Sequence, residues 1–125
     1  EGLWDNCTDW MDGCYYNSNG LNVILNPSKF SDSSNGTSVG TPSSGYPSAF
    51  KLKETSGLFP CVIPASASGS SSTYSCDYWD FGSSYPCLYV GGSCYRYPDS
   101  GLFSVYYYDA SYSDSNIGCR LQKLP

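Results

Sequence analysis

From residue 86 onward the apolar positions come in three short bursts, 86–90 (PCLYV), 101–108 (GLFSVYYY) and 117–121 (IGCRL), separated by Gly, Ser, Asp and Asn. Bursts of this length bounded by turn formers predict strands. Within the second burst the residues alternate. Phe103, Val105 and Tyr107 share one face of a strand, and Ser104, Tyr106 and Tyr108 share the other. The more apolar set is expected to meet the core, leaving Ser104, Tyr106 and Tyr108 in an outward row; the alternative is a sandwich in which both faces are buried. Upstream, 21–25 (LNVIL) predicts a buried strand stopped by Asn26-Pro27. Leu3, Cys7, Trp10 and Met11 fall at helical offsets, with Asp5 or Asn6 as N-cap, so a short helix is expected over 3–11. A second short helix is expected over 49–58, ending at Gly57. The Ser/Gly/Pro/Thr-rich stretch 28–47 has too little apolar content to pack and is expected to be a long loop. Local strands after local helices imply an α+β domain with a small antiparallel sheet.

Composition narrows this picture. The 125 residues suit one domain, 1–125, with a single core. An apolar fraction of 40% and an aromatic fraction of 17% supply that core, while only 14% of residues are charged. The net charge of -5 and the six scattered basic residues argue against nucleic acid and anionic membranes as partners. No apolar run approaches the ~20 residues of a membrane helix, so membrane insertion is not expected. A chain opening on Glu1 is expected to be the C-terminal domain of something longer. The cysteines are Cys7, Cys14, Cys61, Cys76, Cys87, Cys94 and Cys119, an odd number without zinc-ligand spacing. Buried thiols acting as small apolar residues are favoured over a disulfide scaffold, since the chain is long enough for a core.

The stretch 80–121 contains no Lys, Glu, Gln, Met or Trp and is built largely from Tyr, Ser, Asp and Gly. That is the palette of a binding surface: Tyr gives wide amphipathic contact with few torsions to freeze, and Ser and Gly give adaptable hydrogen bonding. By composition Tyr78 and Asp80 join this surface.

The order V-G-G-S-C at 90–94, G-L-F at 101–103 and S-N-I-G-C-R-L at 115–121 resembles the end of the C-type-lectin-like domains of diversity-generating retroelement variable proteins. Those domains are similar in turn to the formylglycine-generating, sulfatase-modifying fold. The preceding G-S-S-S-T-Y-S-C-D-Y-W at 69–79 resembles the matching segment of phage members, so the likeness covers roughly the last 57 residues. It implies a C-type-lectin-like α+β fold with short helices, a small antiparallel sheet and long loops, and a variable region of about 78–116. It also implies ligand contacts at Cys94, Tyr95, Arg96, Tyr97, Asp99, Ser104, Tyr106, Tyr108, Asp109, Tyr112 and Asp114. Gly91, Gly92, Asn116, Gly118 and Arg120 are scaffold on this reading, Arg120 through a hydrogen-bond network. In such systems template adenines become any base, and Asn-type codons ending in a pyrimidine never yield Lys, Glu, Gln, Met or Trp, in keeping with the composition of 80–121. Two departures stand out: Cys94 occupies the place of a Trp, and Cys119 that of an aromatic residue.

Candidate chemistry is sparse. The chain has no His, which removes Cys-His and Ser-His nucleophilic arrangements. Asp77, Asp80, Asp99, Asp109 and Asp114 could in principle form a glycosidase pair, but solvated loop carboxylates are the simpler reading. Neither Glu-Pro-Asn, Gln-Pro-Asp nor Trp-Asn-Asp occurs, so no calcium site is expected. No catalytic residue, metal or cofactor is expected. The function implied is a phage tail or tail-fibre receptor-binding domain whose partner is a bacterial cell-surface protein or glycan, presented in several copies on a virion. The alternative is a bacterial cell-surface or pilus-tip adhesin of the same fold. A sulfatase-modifying-type enzyme ranks third, because no second cysteine follows Cys94 closely.

Overall fold

The computed structural model describes residues 8–54, 61–73, 75–81, 86–93, 101 and 103–118. Among these the protein is mostly antiparallel sheet, with one three-residue 3-10 turn, Pro27–Lys29. The strands are β1 (Thr8–Asn17), β2 (Gly20–Val23), β3 (Thr37–Gly40), β4 (Ala49–Lys53), β5 (Cys61–Ser66), β6 (Cys87–Val90), β7 (Val105–Tyr108) and β8 (Ile117–Gly118). One sheet runs β3-β2-β1-β6-β7, with β8 parallel to β1; β4 and β5 form a separate antiparallel pair. The expected small antiparallel sheet is therefore present.

The two expected helices are not, over the residues described. Residues 8–11 belong to β1, where Trp10 pairs with Tyr89 and Met11 with Leu88 on opposite faces. Adjacent apolar residues on the two faces of a strand also satisfy helical offsets, although Met11 stays 40% exposed. In β4, Phe50 and Leu52 alternate with Lys51 and Lys53, which is a period of two, and cross-strand pairing with β5 overrides the local helix preference. Pro64 interrupts the β5 pattern, yet it lies where the register with β4 shifts, a position in which a missing N–H is tolerated. The stretch 28–47 is mainly loop, but it also supplies β3, held by a single deeply buried side chain, Val39.

The long strand β1 organises the rest. Between Met11 and Tyr15 its register with β6 slips, and Gly13 takes a φ of 78° at the bulge. Only glycine adopts this conformation freely, and a Cβ here would press into the Phe30 ring at 2.7 Å. The slip returns Cys14 to the face of Leu88, where both join Phe81 and Val105 in a buried cluster. Tyr16, Leu21, Trp79, Val90 and Tyr107 pack around it.

The other face of the sheet is covered as well. Trp10, Tyr89 and Tyr106 are direct cross-strand neighbours on β1, β6 and β7. Tyr78 continues the row because the backbone of 78–80 hydrogen-bonds to Val105, and Tyr46 follows because Gly45 bridges Trp79. Successive ring centroids lie 5.5, 5.4, 6.5 and 5.0 Å apart along Trp10, Tyr89, Tyr106, Tyr78 and Tyr46. Tyr89 and Tyr106 are 2% and 1% exposed.

This corrects the expected outward row. Tyr106 is a core residue, and so is Ser104, whose Oγ accepts from the Gly101 N–H at 2.9 Å while its carbonyl accepts from the Gly91 N–H. Phe103, expected inside, is 66% exposed, because the chain turns there before β7 begins. The turn is pinned by the Asp77 carboxylate, which accepts from the Phe103 N–H at 3.0 Å. Of the row, only Tyr108 keeps part of its surface in solvent. The two-sided arrangement considered as the alternative is the observed one at β7.

Three outcomes follow from this packing. Tyr106→Ser is expected to cost about 3–5 kcal/mol, as deletion of a buried aromatic ring does, whereas Tyr112→Ser, which gives up the contact with Tyr108, costs about 0.5–1.5 kcal/mol; urea denaturation of both variants measures the difference. Gly91, at φ 92°, is expected to lose about 1 kcal/mol or more on replacement by Ala, read from the same transitions. Burial, with a smaller contribution from Asp12, pushes the Cys14 thiol up to about 12, so almost no thiolate forms at pH 8. Mass-spectrometric mapping after brief treatment with a thiol reagent should find the exposed Cys76 modified, and Cys14 modified only after unfolding.

Candidate binding surface

At the end of β7 the chain leaves the sheet through a compact turn, and four of the expected contact residues meet there. The rings of Tyr108 and Tyr112 approach to a centroid distance of 3.8 Å at an angle of 33°. The Tyr112 hydroxyl donates to the Asp114 carboxylate at 2.8 Å. Asp109 accepts from both the N–H and the hydroxyl of Ser111, each at 2.8 Å, and its carbonyl accepts from the Tyr112 N–H. These bonds are local Asx-type closures, the reason Asp and Ser recur in such a turn. Tyr108 and Tyr112 are half-buried, whereas Asp109 and Asp114 are exposed.

The electrostatics favour ionised carboxylates. The Ser111 backbone and hydroxyl hold Asp109 below its ordinary value, and the Tyr112 hydroxyl, followed by the Ser115 backbone N–H, does the same for Asp114. A general acid must be protonated near the working pH, so this pair is poorly placed for that role. Opposite Tyr108 on β6 lies Cys87, whose thiol is pushed up by burial and then by the charges of Asp32, Asp109 and Asp12. Asp109 and Asp114 thus set two ionised carboxylates beside the tyrosine pair. Among the described residues no three His, Cys, Asp or Glu side chains gather as metal ligands, and no helix is long and apolar enough to cross a membrane.

The other expected contact residues are distributed differently. Tyr78 and Asp80 lie on the segment beyond β7, away from the 109–114 turn in sequence and pairing; Tyr78 stacks in the aromatic row, and Asp80 accepts a long 3.4 Å bond from the Ser44 hydroxyl. Ser104 and Tyr106 are internal, as described above. Cys94, Tyr95, Arg96, Tyr97 and Asp99 lie outside the described residues, as does the scaffold residue Arg120. Asp12, Asp32 and Tyr46 carry no motif that would have marked them: the first two reach the Cys87 neighbourhood through the β1 bulge and the following loop, and Tyr46 joins its row through the Gly45 bridge.

Two of the motif elements are in contact. The Asn116 side-chain amide donates to the buried Ser93 hydroxyl at 3.2 Å, and the Asn116 carbonyl accepts from the N–H and the hydroxyl of Thr8 at 2.8 and 3.1 Å. The G-G-S and N-I-G segments are thereby tied to each other and to the start of β1. Comparison with protein-family models, with curated proteins and with solved structures returns no match.

Because the folded-state value of Asp114 is depressed, its bond from Tyr112 contributes above the unfolded carboxylate range and is lost as pH falls through the lowered folded value. The Asp114 carboxyl carbon, followed by NMR, is expected to titrate with a midpoint below 3.8. The shift should return toward 3.8 in Tyr112→Phe.

Proposed function

We propose that this chain is a ligand-binding domain of C-type-lectin-like type, with no catalytic role, that recognises a protein or glycan on a bacterial surface and serves as a phage tail receptor-binding module. The observation that carries the reading is the surface formed by Tyr108, Asp109, Tyr112 and Asp114, in which residues at positions that vary in the resembled family lie side by side. Residues of its fixed motifs, Ser93 and Asn116, are bonded to each other near the start of β1. Rings with few torsions, flanked by carboxylates and hydroxyls, provide apolar contact and directional hydrogen bonding at low entropic cost. A patch of this size gives modest affinity per site, which several copies on one particle raise through effective concentration.

The test is adhesion of the multimerised domain to a panel of bacterial cells. Binding is expected to persist in EDTA and to fall at least about tenfold in the Tyr108→Ser/Tyr112→Ser double variant, equivalent to ~1.4 kcal/mol. Full retention in that folded variant overturns the assignment of the surface, and loss in EDTA overturns recognition without a metal.

A further inference from the structure

We propose that Tyr108 and Tyr112 form an oxidative modification site at which a one-electron oxidant joins the two rings into an intrachain dityrosine. Of the ring contacts described, this pair is the closest, at 3.8 Å between centroids against 5.0 Å for Tyr46 and Tyr78 and 5.4 Å for Tyr89 and Tyr106. At 3.8 Å and 33° the ring carbons are already in van der Waals contact, so coupling needs little movement. Both rings retain solvent access, unlike Tyr89 and Tyr106.

The third element is a proton acceptor. A phenol loses an electron far more readily when its proton can leave in the same step, and the Asp114 carboxylate receives the Tyr112 hydroxyl at 2.8 Å. The Asp114 carboxylate is exposed and ionised at neutral pH, so it can take that proton and pass it to solvent.

The reaction balances as follows. Two equivalents of a one-electron oxidant, such as ruthenium(III) tris(bipyridyl), each remove one electron. Tyr112 passes its proton to Asp114, and Tyr108 releases its proton to water. The two phenoxyl radicals couple through ring carbons ortho to the oxygens. The ortho hydrogens then move to the phenolic oxygens, restoring both aromatic rings. The product has lost two hydrogens and closes a covalent loop over 108–112. Such a loop fixes the turn that carries Asp109 in one conformation, by the loop-entropy argument that applies to any cross-link.

The experiment photo-oxidises the dilute full chain with ruthenium(II) tris(bipyridyl) and persulfate, then reads dityrosine fluorescence, intact mass and fragment maps. The expected result is a monomer lighter by two hydrogens, with the cross-link mapped to Tyr108 and Tyr112. Tyr112→Phe should abolish it, and Asp114→Asn should slow its formation while leaving the fold unchanged by circular dichroism. Cross-links that map to Tyr46 and Tyr78, or only between chains, overturn the site. An unchanged rate in Asp114→Asn overturns the role of the carboxylate.

Discussion

The row of rings running Trp10, Tyr89, Tyr106, Tyr78, Tyr46 is the interaction on which the sheet depends. It crosses β1, β6, β7 and the two segments that extend them, so it fixes the register of five chain segments by one set of contacts. Aromatic pairs contribute about 0.5–1.5 kcal/mol each beyond the area they bury. Four such contacts amount to roughly 2–6 kcal/mol, comparable with the 5–15 kcal/mol net stability of an ordinary domain. A one-residue slip of β7 against β6 would take Tyr106 off Tyr89 and bring Val105 to that face, breaking the row and the opposite cluster together.

That double demand explains the bulge in β1. The Trp10 end of the strand must face Tyr89, and Cys14 must still reach the face of Leu88, which an uninterrupted alternation does not satisfy. Gly13 resolves the conflict with a positive φ and leaves room for Phe30 over its bare Cα. The candidate surface is set by the same register. Tyr108 pairs with Cys87 at the end of β7 because Tyr106 is locked to Tyr89 two residues earlier, and the turn that follows brings Tyr112 back over it.

How much of this was legible depends on the kind of signal each segment carries. The strands at β2, β6, β7 and β8 announced themselves through short apolar bursts with turn formers between them, because local pattern and tertiary pairing agree there. β4 was mistaken for a helix although Phe50-Lys51-Leu52-Lys53 alternates, and β5 was hidden by Pro64. In both, the deciding contact is the partner strand, which no local window contains. The alternation in β7 separates its two faces, but it does not say which is buried, since nothing within 103–108 records that 78–80 and 44–46 lie beyond the strand. The turn that carries Asp109, Tyr112 and Asp114 is of the opposite kind: it is closed by bonds between residues one to three apart, so what shapes it is local.

Tyrosine is the reason composition alone misplaces the surface. Its ring can fill a core as in Tyr89 and Tyr106, or lie in part against solvent with its hydroxyl engaged, as in Tyr112. A Tyr-rich stretch therefore says that wide, stiff contacts will be made without saying to what. In 105–112 the chain does both within eight residues: Tyr106 holds the sheet together, and Tyr108 and Tyr112, one turn later, are partly open. On the proposed reading the buried ring makes the open ones usable, because a side chain that is to meet a partner in one geometry needs a backbone already fixed by something else.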